Sequence, residues 1–169
     1  MDIFCEHIVQ KRKGIKEILM ILGIFLATVV LVAVCGLFLF TPFGSVAFLL
    51  TVGIVVGSYY LVMSFNIEYE YILTNGELDI DCIRNRSKRK RLITVSVKTF
   101  DVLAPVGKPE HSAEESASFT RVIDASSYCN SGYAYFAVFS KDGQKIKLIF
   151  EPDEQMLEKI KLYIPNNVK

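Results

Sequence analysis

Hydrophobic positions concentrate in two uninterrupted runs near the start of the chain. Ile18–Phe40 contains no charged residue, and Val46–Phe65 contains none either. About 20 helical residues cross the hydrocarbon core of a bilayer, so each run is long enough to span it. The Thr41–Ser45 break contains Pro42 and Gly44, which end one helix and allow the chain to reverse. The pattern predicts a transmembrane helical hairpin with spans 18–40 and 46–65.

Beyond the hairpin the pattern changes to the period-two alternation of half-buried strands. Asn75-Gly76 separates the first two strands, and this dipeptide favours a type I′ hairpin turn. The apolar segment 92–103 is expected to form one bent strand or two. Counted as two, it brings the total to seven antiparallel strands, which lie at 67–74, 77–84, 92–103, 121–126, 133–140 and 145–150.

Other segments differ from this strand pattern. Pro152, with two acids after it, favours the start of a helix over 153–164, because Pro and negative charge suit a first turn. The segment 104–120 is rich in Pro, Gly and Ser and is predicted to be a mobile loop. Residues 1–10 have scattered apolar positions, which are compatible with a short interfacial helix or with a frayed end. The predicted fold is therefore a helical hairpin followed by an α+β, mainly β, domain.

Charge on the flanks predicts how the hairpin lies in a membrane. Four basic residues precede the first span, whereas the loop between the spans has no charge; they are Lys11, Arg12, Lys13 and Lys16. Short flanks rich in Lys and Arg stay on the cytoplasmic side. We therefore expect a multi-pass protein of the cell membrane with both termini in the cytoplasm. Its parts are a basic tail (1–17), the hairpin (18–65) and a cytosolic domain (66–169).

Small residues recur at a spacing of four within each predicted span, as Gly23 and Ala27 in the first and Gly53 and Gly57 in the second. Such pairs allow helix backbones to approach closely in lipid. Two interpretations remain open: packing of the two helices of one hairpin, or assembly between chains. Neither span contains an ionisable residue, which argues against a transporter.

The segment Tyr71–Leu78 resembles the opening of bacterial PH-like membrane proteins, in which a Y-x-L-T-x-x-x-L strand pair follows two membrane helices. The whole layout resembles that of small two-span bacterial proteins of unknown function. The resemblance implies a pleckstrin-homology-like sheet sandwich or partial barrel closed by the last helix. Phosphoinositide-binding members hold phosphates in a basic loop between their first two strands. Here that loop is expected to be Asn75-Gly76, without a basic residue, so the lipid site does not carry over.

A dense basic run follows the second predicted strand, with Arg84, Arg86, Lys88, Arg89, Lys90 and Arg91. A strand that leaves the bilayer for roughly 23 Å, at about 3.3 Å per residue, and a second that returns would bring this run back to the membrane. The run is then a candidate contact for anionic lipid headgroups. A solvated turn, or a run that only reinforces topology, is an equally acceptable explanation.

Catalytic and metal chemistry find little support in the sequence. Its four cysteines form no CxxC pair and it has two histidines, so neither zinc nor another cofactor is expected. The net charge of +1 gives no reason to expect nucleic-acid binding. The alternating acids are candidates for acid–base work, but more often such acids form the solvent face of a sheet; they are Glu68, Glu70, Asp79 and Asp81.

These patterns predict a non-enzymatic membrane protein whose cytosolic domain binds a protein partner or anionic phospholipid at the inner membrane surface. Aromatic side chains of the strands are candidate anchors for a partner protein, although alternating aromatic residues in strands more often belong to the core; the candidates are Tyr69, Tyr133, Tyr135 and Phe136. An accessory subunit of a larger membrane assembly, or a homo-oligomer joined through the glycine-containing helices, is the alternative. A carboxylate-based enzyme is the third.

Overall fold

The computed structural model describes residues 3–128, 132–165 and 167–168. The chain forms two compact units. One is continuous and contains Lys13–Asn66, while the other joins Met1–Arg12 to Ile67–Lys169. The smaller unit is therefore an insertion within the sequence of the larger one.

The inserted unit contains two apolar helices, α1 (Ile15–Phe38) and α2 (Gly44–Met63). Each is long and apolar enough to cross a membrane, with mean hydropathies of 3.1 and 2.1. The helices contact each other along faces that repeat every three or four residues. The less exposed positions on these faces are Ile21, Ile24, Thr28, Val32 and Cys35 in α1, and Ala47, Thr51, Ile54, Ser58 and Val62 in α2.

The larger unit begins with a strand at the start of the chain. Residues Phe4–Gln10 form β1, so the expectation of an interfacial helix or a frayed end was wrong. Cys5 and Val9 face the core, and the strand pairs with residues 68–74, which are 58 to 70 positions away. The pattern of β1 is ambiguous by itself because the strand that it pairs with lies beyond the hairpin.

Sheet A comprises β1, β2 (Ile67–Thr74), β3 (Glu77–Arg84) and β4 (Lys88–Ser96) in that order, all antiparallel. The helical hairpin is thus the connection between the first two strands of the domain. Asn75-Gly76 joins the second strand to the third instead, with φ angles of 50° and 87° that suit the predicted turn. Gly76 is also required for space, because a Cβ there would lie 3.0 Å from the Tyr163 ring.

Sheet B follows a single 3₁₀ turn at Val97–Thr99 and has the order β5-β7-β8-β6. Its strands are β5 (Phe100–Pro105), β6 (Arg121–Asp124), β7 (Tyr135–Lys141) and β8 (Gln144–Phe150). The described residues therefore form eight strands, not the expected seven antiparallel ones. The additional strand is β1. A second difference is that β6, at the edge of sheet B opposite β5, runs parallel to its neighbour β8.

The main core lies between the sheets and beneath the last helix, α4 (Glu154–Tyr163). Asp153 caps this helix by accepting a hydrogen bond of 2.8 Å from the backbone N–H of Met156. Tyr71 is fully buried in the core, and its hydroxyl donates to the Ala125 carbonyl at 2.5 Å. The predicted helix over 153–164 agrees with α4 to within one residue at each end.

A mobile loop was predicted over 104–120, but Ala104 and Pro105 belong to β5, and residues 106–120, which we call the cover segment, contain short helical turns. It contains a 3₁₀ turn and one short helical turn, α3 (Ser112–Glu115). Its residue Phe119 packs against a second apolar cluster, on the outer face of sheet B, that includes the buried Phe136 and Val138. The Lys147 ammonium donates to the Glu115 carbonyl at 2.8 Å and so ties the segment to β8.

Candidate functional site

Strand pairing in sheet A gathers basic residues that are far apart in the sequence. Ile67 pairs with Arg84, and Arg84 pairs with Lys88. On the other side of β2, the backbone N–H of Lys11 donates to the Ile67 carbonyl at 2.9 Å. One end of sheet A therefore carries a group of cations that we call the basic rim, comprising Lys11, Arg12, Arg84, Arg86, Lys88 and Lys90.

The basic run is not the loop that the sequence suggested. Only Asn85, Arg86 and Ser87 form a turn, and Asn85 and Arg86 have positive φ angles of 51° and 52°. Lys88–Arg91 already belongs to β4, which is an edge strand of sheet A. Charged side chains on an edge strand also discourage unwanted pairing with other chains, so part of this charge has a structural role.

A register shift between Ile80 and Asp81 separates the basic run into two sets. Leu92 is the extra residue in β4, and it shifts the alternation so that Arg89 and Arg91 lie on the outer face of the sheet with Asp81. The side chains on this face form an array of ion pairs that we call the ion-pair face. Its members are Glu68, Glu70, Asp79 and Asp81 with Arg86, Arg89 and Arg91.

Arginines of the ion-pair face compensate its buried carboxylates. Arg89 lies 2.9 Å from Glu70, Arg91 lies 2.7 Å from Asp79, and Arg91 also binds Asp81. Glu70 is 3% and Asp81 2% exposed, so loss of either partner would leave a charge poorly solvated. The hydrogen bond from Arg91 to Asp81 is the main cause of a raised pKa of the Arg91 guanidinium.

The carboxylates considered for catalysis are paired with basic side chains. Asp79 accepts a hydrogen bond from Thr94 at 2.5 Å in addition to its ion pair, and Arg86 lies 3.5 Å from Glu68. Among the described residues, no group of three His, Cys, Asp or Glu side chains is placed to hold a metal ion. Cys129 lies outside the described residues. The acids thus form a charge-compensated surface.

The remaining cations of the basic run have no such partners. The side chains of Arg84, Lys88 and Lys90 are exposed, and they form no ion pair or hydrogen bond with other residues in the described part of the chain. Arg12 is also exposed, and its backbone N–H donates to the Ser127 carbonyl at 2.9 Å. The side chains of these residues are therefore available to an anionic ligand.

The basic flank of the first helix divides between the two units. Lys11 and Arg12 belong to the β unit, whereas Lys13 and Lys16 belong to the helical unit. Lys16 lies in the first turn of α1. The four predicted topology residues therefore lie on both sides of the point where the chain leaves sheet A for the helices.

The small residues of the helices do not form the contact within the hairpin. A Cβ atom built on Gly23, Gly53 or Gly57 would meet no atom within 4 Å. Ala27 is exposed as well. Ala47 is the one buried residue of α2, and the other less exposed positions are those given above for the two helix faces. The interpretation in which these four residues pack one helix against the other in the same hairpin is therefore not the arrangement found.

Most of the aromatic side chains considered as partner anchors belong to the core. Tyr69 is 7% and Phe136 0% exposed, and Tyr135 is half-buried. Tyr133 is 78% exposed, as expected for an anchor, and Tyr128 is 56% exposed although the sequence did not single it out. The alternating pattern of a strand does not indicate which of its faces meets a second sheet, so the sequence left both the core and the surface open for these residues.

Two four-stranded sheets closed by a C-terminal helix define a PH-like protein, and two helices long and apolar enough to cross a membrane are inserted after its first strand. The chain belongs to the family described as the bacterial PH-like domain (DUF6106), which it matches over residues 1–169. Comparisons with curated proteins and with solved structures gave no match. The family itself has no assigned function, so the function is argued from the sites.

Proposed function

We propose that this protein is a non-enzymatic membrane-anchored binding module that acts as a scaffold at the inner membrane surface. In this proposal the basic rim contacts anionic phospholipid headgroups and orients the β domain for a protein partner. The observation that carries the proposal is the position of the rim, at the end of sheet A where the chain departs for both helices.

The connections between the β domain and the two helices are short. Arg12 precedes the start of α1 by three residues, and Ile67 follows the end of α2 by four. An extended chain covers at most about 3.6 Å per residue, so these connections reach no more than roughly 11–14 Å. That reach is comparable to the Debye length of about 8–10 Å over which headgroup charge is felt.

The same connections support the proposed topology. Because β1 and β2 are neighbours in one sheet, both ends of the helical hairpin must lie on the same side of the membrane. The basic residues at the start of α1, and the absence of charge in the Leu39–Phe43 turn, favour the cytoplasm for that side. We therefore propose that the N-terminus, the C-terminus and the β domain are cytoplasmic.

Not every basic side chain contributes equally to lipid binding. Each cation near an anionic surface gains up to about 1 kcal/mol, but Arg86, Arg89 and Arg91 each neutralise a carboxylate. The unpaired cations Arg84 and Lys88, with Lys90 beside them, supply the attraction. Loss of Arg89 or Arg91 would instead destabilise sheet A, so replacing all six residues would confuse binding with folding.

The test is lipid crosslinking of the full-length protein in nanodiscs. One set of nanodiscs contains phosphatidylglycerol and the other only phosphatidylcholine, each with a trace of photoactivatable lipid of the same headgroup. We expect crosslinks to residues 84–90 in the anionic nanodiscs and a several-fold loss of them in the triple variant Arg84→Gln/Lys88→Gln/Lys90→Gln.

A matched triple variant removes the same charge elsewhere, by Lys108→Gln, Arg121→Gln and Lys161→Gln. These three exposed residues lie outside the basic rim, so crosslinking at residues 84–90 should not change in this variant. Equal crosslinking in neutral and anionic nanodiscs, or equal losses in the two triple variants, would contradict the lipid contact.

A second candidate function is that of an accessory subunit that docks through its membrane helices. It is favoured by the exposure of Gly23, Ala27, Gly53 and Gly57, which are not used within the hairpin. Replacing Gly53 and Gly57 by Leu should then abolish co-purification of a membrane partner or of a second copy. The control replaces Val52 and Val56 by Leu, because these residues are also exposed but are already bulky.

A further inference from the structure

The outer face of sheet A has a second feature, on β1 and β2, beside the ion-pair face. Glu6 pairs with Ile72, and Ile8 pairs with Glu70, so acids and isoleucines alternate across the two strands. Ile8 is 52% exposed, and Phe4, on the same face of β1, is 59% exposed. This patch thus combines negative charge with apolar side chains at the surface.

Glu70 lacks a hydrogen-bond donor at one of its two oxygens. Its Oε1 accepts from Arg89 at 2.9 Å, whereas its Oε2 is buried and has no hydrogen-bond partner among the described residues. Burial raises the pKa of the Glu70 carboxyl; Arg89 opposes this shift, and the neighbouring Glu6 carboxylate adds to it. The Glu6 and Glu70 carboxyl groups therefore lie close together, and a proton on Glu70 can be donated to Glu6. When both groups are ionised, no donor lies between them, and that arrangement costs free energy.

The described part of the chain does not supply the missing positive group. Arg89 already binds the other oxygen of Glu70, while Arg86 and Arg91 are bound to Glu68 and Asp81. No third carboxylate, histidine or cysteine of the described residues completes a metal site there. A single cationic nitrogen between the two carboxylates would satisfy the unpaired oxygen.

We propose that the patch formed by Glu6, Glu70, Ile8 and Phe4 binds a lysine side chain of a partner protein. The ammonium group lies between the two carboxylates and donates to Glu70 Oε2, and Glu6 can adjust because its side chain is exposed. The exposed Ile8 and Phe4 pack against the aliphatic stem of the lysine, which an inorganic cation would leave uncovered. This site is independent of lipid contact at the basic rim.

The test uses full-length protein in neutral nanodiscs and a positional-scanning library of hexapeptides with a fixed central lysine. Binding is measured by fluorescence anisotropy and by carbodiimide coupling, which joins a bound lysine to the contacting carboxylate for identification by mass spectrometry. We expect saturable binding by a subset of the peptides, coupling at Glu6 or Glu70, and at least a tenfold loss when the lysine is Nε-acetylated.

Three variants make the result decisive. Glu6→Gln and Glu70→Gln should each weaken binding about tenfold, and Glu6 is exposed, so its replacement leaves the fold intact. Glu77→Gln is the matched control, since Glu77 is an exposed acid near the far end of the same face. Absence of saturable binding, coupling at other carboxylates, or an equal loss in the Glu77 variant would overturn the proposal. None of these readouts depends on anionic lipid.

Discussion

The outer faces of the two sheets of the β domain differ in polarity and in whether other residues cover them. The outer face of sheet A is polar and compensates its own charge through arginine–carboxylate pairs. The outer face of sheet B is apolar and is covered by the segment 106–120. Sheet B is also built from one continuous stretch of chain, whereas sheet A takes its first strand from the far side of the helical hairpin.

This difference suggests that sheet B contributes mainly to stability and sheet A mainly to function. A face covered by its own chain is closed to ligands and contributes mainly to stability. A face that carries charge and exposed apolar side chains remains available, and the unpaired cations and the unsatisfied Glu70 oxygen both belong to sheet A. We therefore expect function to concentrate on sheet A, and changes to sheet B to affect stability alone.

The largest effect should come from removing β1. A fragment with residues 67–169 exposes the edge of β2 and the buried Tyr71, so we expect it to aggregate or to lack a cooperative unfolding transition. Joining residues 1–12 to residue 67 through a short Gly/Ser linker should restore folding, because Lys11 already contacts Ile67. Circular dichroism during thermal unfolding compares the two. Cooperative unfolding of the shorter fragment would show that β1 is dispensable.

The next largest effect should come from opening the cover of sheet B. Phe119→Ala removes a half-buried aromatic ring from the second cluster and should lower the free energy of unfolding by about 2 kcal/mol. Hydrogen exchange should rise in residues 106–120, while lipid crosslinking at the basic rim stays unchanged. The control is Tyr128→Ala, which truncates an exposed aromatic in another connection. A change in lipid crosslinking at the basic rim would contradict the expectation that changes to sheet B affect stability alone.

The success of the sequence predictions depends on how local each signal is. The strands 67–74 and 77–84 were predicted with their observed bounds, because their alternation is regular and Asn75-Gly76 lies between them. The start of helix α4 at Pro152 and the two acids after it is an equally local signal. Elements stabilised by neighbours in sequence could therefore be predicted.

Elements stabilised by distant contacts could not be predicted in the same way. β1 pairs across the hairpin, and β6 is placed by a parallel pairing with β8 that four residues do not specify. The cover segment has few apolar residues and is held by Phe119 and by the buried Lys147. The basic rim likewise depends on a register in which Arg84 and Lys11 flank Ile67.

A smaller effect should distinguish the two partners of one ion pair on sheet A. Arg91→Ala leaves the buried Asp81 with only Arg89, 4.0 Å away, and should cost about 1–2 kcal/mol of stability. Asp81→Ala should cost less, because Arg91 is half-exposed and keeps Asp79. Urea denaturation measures both, with Arg121→Ala as the control for loss of an exposed arginine. Equal costs for the two variants would show that burial of Asp81 does not matter.

The smallest effect concerns the pH dependence of stability. The pKa of Glu70 is raised by burial, so its contribution to stability is fully present below the unfolded-state pKa and is lost as the pH rises through the folded-state pKa. Glu70→Gln removes this dependence. The urea midpoint of the variant should therefore rise relative to that of the unaltered protein as the pH increases above the ordinary glutamate pKa of 4.5. Parallel curves for the two proteins would contradict the shifted pKa.

One measurement tests the central claim, that the basic rim faces the membrane, most directly. Nitroxides are attached through a ketone-bearing amino acid at Ser87, in the rim turn, and at Glu77, at the other end of β3, roughly 23 Å away. Collisional accessibility to oxygen and to a water-soluble nickel complex is then compared in anionic nanodiscs. The account predicts headgroup-level values at Ser87 and bulk-water values at Glu77. Equal or reversed values would contradict it.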